Sequence, residues 1–139
     1  MGQHLILTGR VGKTPEMRYT SDGTAYTRFS LATNKTYKSN GQKVKETTWF
    51  NVTVWGGQAN AVNEWVDAGD IVEVTGEITG SRVEKEPGEF TIYPRIWTGN
   101  DGKPRCSFEI RARHVQFHQV SGNGNAPASP DEGPGAIPF

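Results

Sequence analysis

Residues 47–78 read TTWFNVTVWGGQANAVNEWVDAGDIVEVTGEI. Residues 47–55 alternate strictly, with Phe50, Val52 and Val54 on one side and Trp49, Asn51, Thr53 and Trp55 on the other, which predicts a strand. The period then changes. Ala59, Val62 and Val66 recur at helical spacing with Trp65 beside them, so residues 58–68 predict a short helix with all four side chains in the core. Gly69 stands where a C-terminal cap is expected. Alternation returns over residues 71–78 and predicts another strand.

Working outward, residues 4–11 form one apolar strand, followed by a turn around residues 12–15. Ser21-Asp22-Gly23 is a turn signal ahead of a long run, residues 24–37, rich in Thr, Tyr and Phe. Ser39-Asn40-Gly41 marks the next turn, and residues 107–117 predict the last strand. Five strands with one helix between the third and fourth predict an all-β, five-stranded Greek-key barrel of the OB-fold class. An SH3-like barrel is the rival, and the position of the helix favours the OB-fold. Between the fourth and fifth strands lies a polar insert, residues 79–106. Its turns at Pro87-Gly88 and residues 99–102 suggest a long, partly exposed hairpin.

The 139 residues carry 15 Lys and Arg against 15 Asp and Glu. A net charge of zero excludes a uniformly basic nucleic-acid binder but not a local basic surface. The charge is in fact segregated: residues 1–45 are net +6, residues 46–91 net −7 and residues 92–118 net +3. No apolar run approaches the roughly 20 residues of a membrane helix. The single Cys106 has no intramolecular disulfide partner, and no charged-then-apolar leader opens the sequence. A soluble protein of a reducing, cytoplasmic compartment is the expectation. Composition breaks near residue 119. Residues 119–139 hold four Gly and four Pro and little that could form a core, so the expected organisation is a barrel domain, residues 1–118, and a disordered tail, residues 119–139. The tail ends in Ile137-Pro138-Phe139 with Asp131 and Glu132 upstream, a pattern suited to a short docking peptide and equally to a frayed end.

The polar face of the third strand carries the chemistry. Two tryptophans six residues apart are a large apolar exposure unless they meet something flat. Nucleobases are flat, and stacking them on aromatic rings contributes about 1–3 kcal/mol per base with little regard to sequence. Trp97 lies beside Arg95, with Lys103 and Arg105 nearby. Tyr37 lies among Lys35, Lys38, Lys43 and Lys45, and Arg28 lies in the same long strand. Rings for bases and cations for phosphates suit a single-stranded nucleic acid. A neighbouring subunit or the insert could cover Trp49 or Trp55 instead. Alternation sets Tyr37 with Phe29 and Leu31, so a bulge would be needed to turn it outward.

At these residues the chain resembles the bacterial single-stranded DNA-binding proteins. Leu5-Ile6-Leu7-Thr8-Gly9-Arg10-Val11-Gly12 and Pro15-Glu16-Met17-Arg18-Tyr19 resemble the family's first strand and following turn. Phe29-Ser30-Leu31-Ala32-Thr33 resembles the second strand. Thr48-Trp49-Phe50 and Val52-Thr53-Val54-Trp55-Gly56 resemble the third. Gly69-Asp70 and Val72-Glu73-Val74-Thr75-Gly76 resemble the fourth, and Ile137-Pro138-Phe139 the protein-docking tip. The resemblance implies a homotetramer of OB-folds that binds single-stranded DNA without strong sequence preference and, through its tip, recruits replication, recombination and repair proteins. It implies stacking by Trp49, by Trp55 where the family often has phenylalanine, and by Tyr37 where tryptophan is frequent. The fourth ring position falls on Val83 by direct counting, or on Trp97 if an insertion is allowed. Trp97 keeps Phe108-Glu109-Ile110 in place for the last strand and is the choice made. Phosphate contacts are expected from Lys35, Lys38, Lys43, Lys45, Arg28, Arg95, Lys103 and Arg105, and partner docking from Asp131, Glu132, Ile137, Pro138 and Phe139.

Other readings are an RNA-binding OB-fold, a nuclease on a barrel and a protein-interaction scaffold. Metal-dependent cleavage needs clustered carboxylates. The acids are spread along predicted helix and strand surfaces, and His4, His114 and His118 lack metal-ligand spacing. The expectation is therefore a non-enzymatic binder with no cofactor, no metal and no membrane partner.

Overall fold

The computed structural model describes residues 1–119. Its elements are β1 (Leu5–Val11), β2 (Glu16–Tyr19), β3 (Ala25–Ser39), β4 (Gln42–Trp55), α1 (Gly57–Trp65), β5 (Ile71–Thr79), β6 (Ser81–Glu86), β7 (Glu89–Tyr93), β8 (Arg95–Thr98) and β9 (Pro104–Gln119). Five of the strands close a barrel: β1 pairs with β5, β5 with β9, β9 with β4, β4 with β3, and β3 returns to β1 through Arg10↔Ala32 and Val11↔Leu31. Only β4–β9 is parallel; the other pairs in the ring are antiparallel. This closed order, with α1 between the third and fourth barrel strands, is the OB-fold.

Alternation fills the interior. Phe29 and Leu31 of β3, Val52 and Val54 of β4, Val72 and Val74 of β5, and Ile110 and Ala112 of β9 form the buried core with Val11, Val62, Val66 and Val115. Val115 has the opposite parity to Ile110. A register shift in β5–β9, where Thr75 pairs with His114 and Gly76 with Ala112, inserts one residue and brings Val115 inward. Gly76 is required there: a Cβ would lie 2.2 Å from the Arg111 carbonyl oxygen.

The helix is shorter than its spacing predicts. It ends at Trp65, and Val66 is already extended while its N–H still reaches the Val62 carbonyl. Leaving the helix lets the β-branched Val66 bury itself in the barrel. Gly69 therefore does not cap α1. It sits at φ 91° in the turn that follows, where its N–H donates to the Val11 carbonyl at 2.7 Å and its own carbonyl accepts from Arg10 at 2.7 Å. Trp65 is half-buried at the helix end rather than in the core. The helix is tied to the barrel by the buried Thr27 hydroxyl, which donates to the Ala59 carbonyl at 2.7 Å. Gln58 adds a second tie by accepting from the Val115 N–H at 2.9 Å.

Two elements depart from the sequence expectation. A short edge strand, β2, pairs with β3 where only a turn was expected. The insert holds two hairpins rather than one. β6 and β7 form a separate two-stranded sheet, while β8 folds back onto the start of β9.

Candidate nucleic-acid interface

β3 and β4 keep an unbroken register from Tyr26↔Trp55 to Ser39↔Gln42. In antiparallel pairing, directly opposed residues share a face. Trp49 with Ala32, Asn51 with Ser30, Thr53 with Arg28 and Trp55 with Tyr26 therefore make one outer face. The face continues across the parallel partner, where Asn51 lies beside Glu109. It then extends through Ser107↔Arg95 and Arg105↔Trp97 onto β8. Trp97 thus stands on the same sheet face as Trp49 and Trp55. Val83 belongs to β6, off the barrel sheet.

The rings are open to solvent: Trp49 is 54% exposed, Trp55 43% and Trp97 39%. Trp49 lies over Gly12, where a Cβ would be 2.6 Å from the indole. Trp55 packs against Tyr26 with ring centroids 4.9 Å apart. Arg95 stands over Trp97 at 5.4 Å. Two grooves, of about 510 and 420 Å³, run along the face and share Arg28. The first passes Lys13, Ser30 and Asn51, the second Tyr26, Trp55 and Arg95. Glu109 also lines the second groove and is only 7% exposed. It accepts from Asn51 Nδ2 at 2.8 Å and from the Ser107 hydroxyl, and it lies 3.6 Å from Arg28.

Beyond the barrel, β3 and β4 continue as a free two-stranded arm. Its tip is a two-residue Asn40-Gly41 turn, both at positive φ, 52° and 79°. That is the hairpin turn whose twist matches the strands. Lys38 faces Lys43, and Thr36 faces Lys45. By alternation Lys38, Lys43 and Lys45 share the Trp49 side. Like charges directly opposed destabilise a strand pair, so the Lys38–Lys43 pair favours an anionic visitor. Tyr37 and Lys35 lie on the other side of the arm. No bulge intervenes, so Tyr37 keeps the parity of Phe29 and Leu31. Its ring is 39% exposed, and Lys35 stands 5.5 Å from the ring centroid. Its hydroxyl donates to Glu46 at 2.7 Å, which pushes the phenol above its ordinary pKa.

The remaining cations are unequal. Arg105 is ion-paired with Asp101 at 2.8 Å, whereas Lys103 is exposed in the turn before β9. Asp131, Glu132, Ile137, Pro138 and Phe139 lie outside the described residues. Sequence reasoning did not single out Tyr26, Lys13 or Glu109. Tyr26 was detectable, because it shares the even parity of Arg28. Glu109 was not, since its burial depends on β9 lying beside β4. Among the described residues no group of three His, Cys, Asp or Glu side chains could hold a metal ion.

Fold and face define an OB-fold barrel that carries rings and cations along one strand face. The chain belongs to the single-strand binding protein family, whose model matches residues 3–118. It is 34% identical over 114 residues to a single-stranded DNA-binding protein of Treponema pallidum, covering 82% of this chain and 56% of that protein. A single-stranded DNA-binding protein of Neisseria meningitidis serogroup A is 30% identical over 132 residues, with 94% of this chain and 68% of the relative covered. The chain thus spans little more than half the length of the Treponema relative. Two solved structures share the fold at 22% identity, each covering 84% of this chain and 94% of the other. They are the small single-stranded DNA-binding protein of Streptomyces coelicolor, with TM-score 0.64, and a Plasmodium falciparum SSB complex with ssDNA, with TM-score 0.62.

Proposed function

We propose that this protein binds and protects single-stranded DNA without sequence preference, serving replication, recombination and repair, and is not an enzyme. The observation that carries the reading is the pair of exposed indoles, Trp49 and Trp55, on one otherwise polar strand face with Arg28 between them. Family membership supports it. Bases stack on Trp49, Trp55 and Trp97, and Tyr37 offers a further ring to the strand on the opposite side of the arm. Lys35, Lys38, Lys43, Lys45, Arg95 and Lys103 neutralise phosphates. Arg28 and Arg105 each face a carboxylate and contribute less. Residues 1–118 are the binding domain. Residues 119–139 form a tail that recruits partner proteins through Asp131, Glu132, Ile137, Pro138 and Phe139. The protein works in the cytoplasm on nucleoid DNA as a homotetramer.

The test is a tryptophan-fluorescence titration with oligo-dT, oligo-U and a DNA duplex of equal length. Strong quenching by oligo-dT, with weaker responses to the other two, is the expected result. Tighter binding of oligo-U would move the protein to the RNA-binding OB-folds. No quenching and no binding would reassign the ring face to a protein interface.

A further inference from the structure

We propose that the groove between Trp55 and Glu109 seats one nucleobase by its Watson–Crick edge, with Glu109 as the acceptor and Arg28 as the donor. The inference rests on the strand-binding reading above and adds what one subsite recognises.

The ring face carries an awkward charge at its centre. A phosphate-binding face should be cationic, yet its centre holds a buried carboxylate. A backbone phosphate entering this groove would meet that carboxylate in a partly desolvated site, where repulsion is poorly screened. At Glu109 the groove therefore disfavours phosphate and accepts a neutral group, while Arg95, which also lines it, stays available to a backbone phosphate. Its walls suit a base: Trp55 and Tyr26 supply ring surface, while Arg28, Arg95 and Glu109 supply polar atoms.

The carboxylate has one oxygen left for a ligand. Oε2 accepts from both Asn51 and Ser107, which occupies its two lone pairs and locks the side chain. Oε1 faces Arg28 at 3.6 Å, an ion-pair distance beyond hydrogen-bond reach. Arg28 is about half exposed. An acceptor and a donor thus stand side by side at the groove floor.

Every standard base carries an N–H donor next to an acceptor on its Watson–Crick edge. Thymine has N3–H beside O4, cytosine N4–H beside N3, adenine N6–H beside N1, and guanine N1–H beside O6. A donor–acceptor pair can read each of them, so the subsite does not select among bases. It selects against pairing, because the edge is occupied in a duplex. Reading an unpaired base by this edge while stacking its face is a general mode of base recognition.

The experiment compares oligo-dT with an N3-methylthymidine oligomer of equal length, on the wild type and on Glu109→Gln. Methylation removes the donor that Oε1 would accept. The wild type should lose roughly tenfold in affinity, as for one hydrogen bond to a charged group. Glu109→Gln should lose about twofold or less, because the two changes remove the same contact. An equal penalty in both proteins would overturn the edge contact and leave strand binding intact. Failure of oligo-dT itself to bind the wild type would overturn the strand-binding reading. Imino-proton NMR of the wild-type complex with oligo-dT is independent of how the variant folds. A thymine N3–H resonance protected from exchange should appear on binding, and its absence would overturn the proposal.

Discussion

Trp49 and Trp55 are both solvent-exposed, yet their surroundings differ. Trp49 rests on the bare backbone of Gly12, and Trp55 leans on Tyr26. Each is held from one side and open on the other, the arrangement a stacking platform needs. Trp49→Ala and Trp55→Ala should each weaken oligo-dT binding by about 1–3 kcal/mol and leave the urea midpoint nearly unchanged. Equilibrium titration and urea unfolding of the same preparations check both halves. A large loss of stability with unchanged affinity would mean that the rings serve packing.

Among the elements, the β3–β4 arm is the most distinctive. Lys38 opposes Lys43 across the ribbon, and residues 35–45 hold four lysines and no acid, the first carboxylate being Glu46, which faces Lys35. Lys43→Glu converts the Lys38 pairing from repulsive to attractive. The arm should become more ordered and bind DNA less tightly. For single strands the salt slope of log K is about −0.7 per phosphate neutralised, so removal of one contact should flatten it by roughly that amount. Titrations at several salt concentrations measure the slope. An unchanged slope would place the arm away from the strand.

For the barrel as a unit, stability is set by a small core. Leu31 is fully buried on β3, close to where that strand meets β1 and closes the ring. Leu31→Ala should reduce unfolding free energy by about 2–5 kcal/mol, a large share of the roughly 5–15 kcal/mol available to a domain. Urea denaturation measures it. A loss below about 1 kcal/mol would show that the barrel collapses around the missing side chain.

Local pattern was enough for much of this. Alternation at Phe50, Val52 and Val54, the helical spacing of Ala59, Val62 and Val66, and the Asn40-Gly41 turn are properties of neighbouring residues. They were readable because strand, helix and turn preferences act over a few residues. The outward aspect of Trp49 and Trp55 followed from the same period of two. What required the folded chain is everything set by pairing between distant strands. The parallel contact of β4 with β9 brings Glu109 beside Asn51 and Arg28, residues 58 and 81 positions away in sequence. The bulge opposite Gly76 changes the parity of β9 and sends Val115 inward. The return of β8 onto β9 carries Trp97 to the ring face. Register between strands is a global balance of burial and backbone hydrogen bonding, and no local window of the sequence contains it.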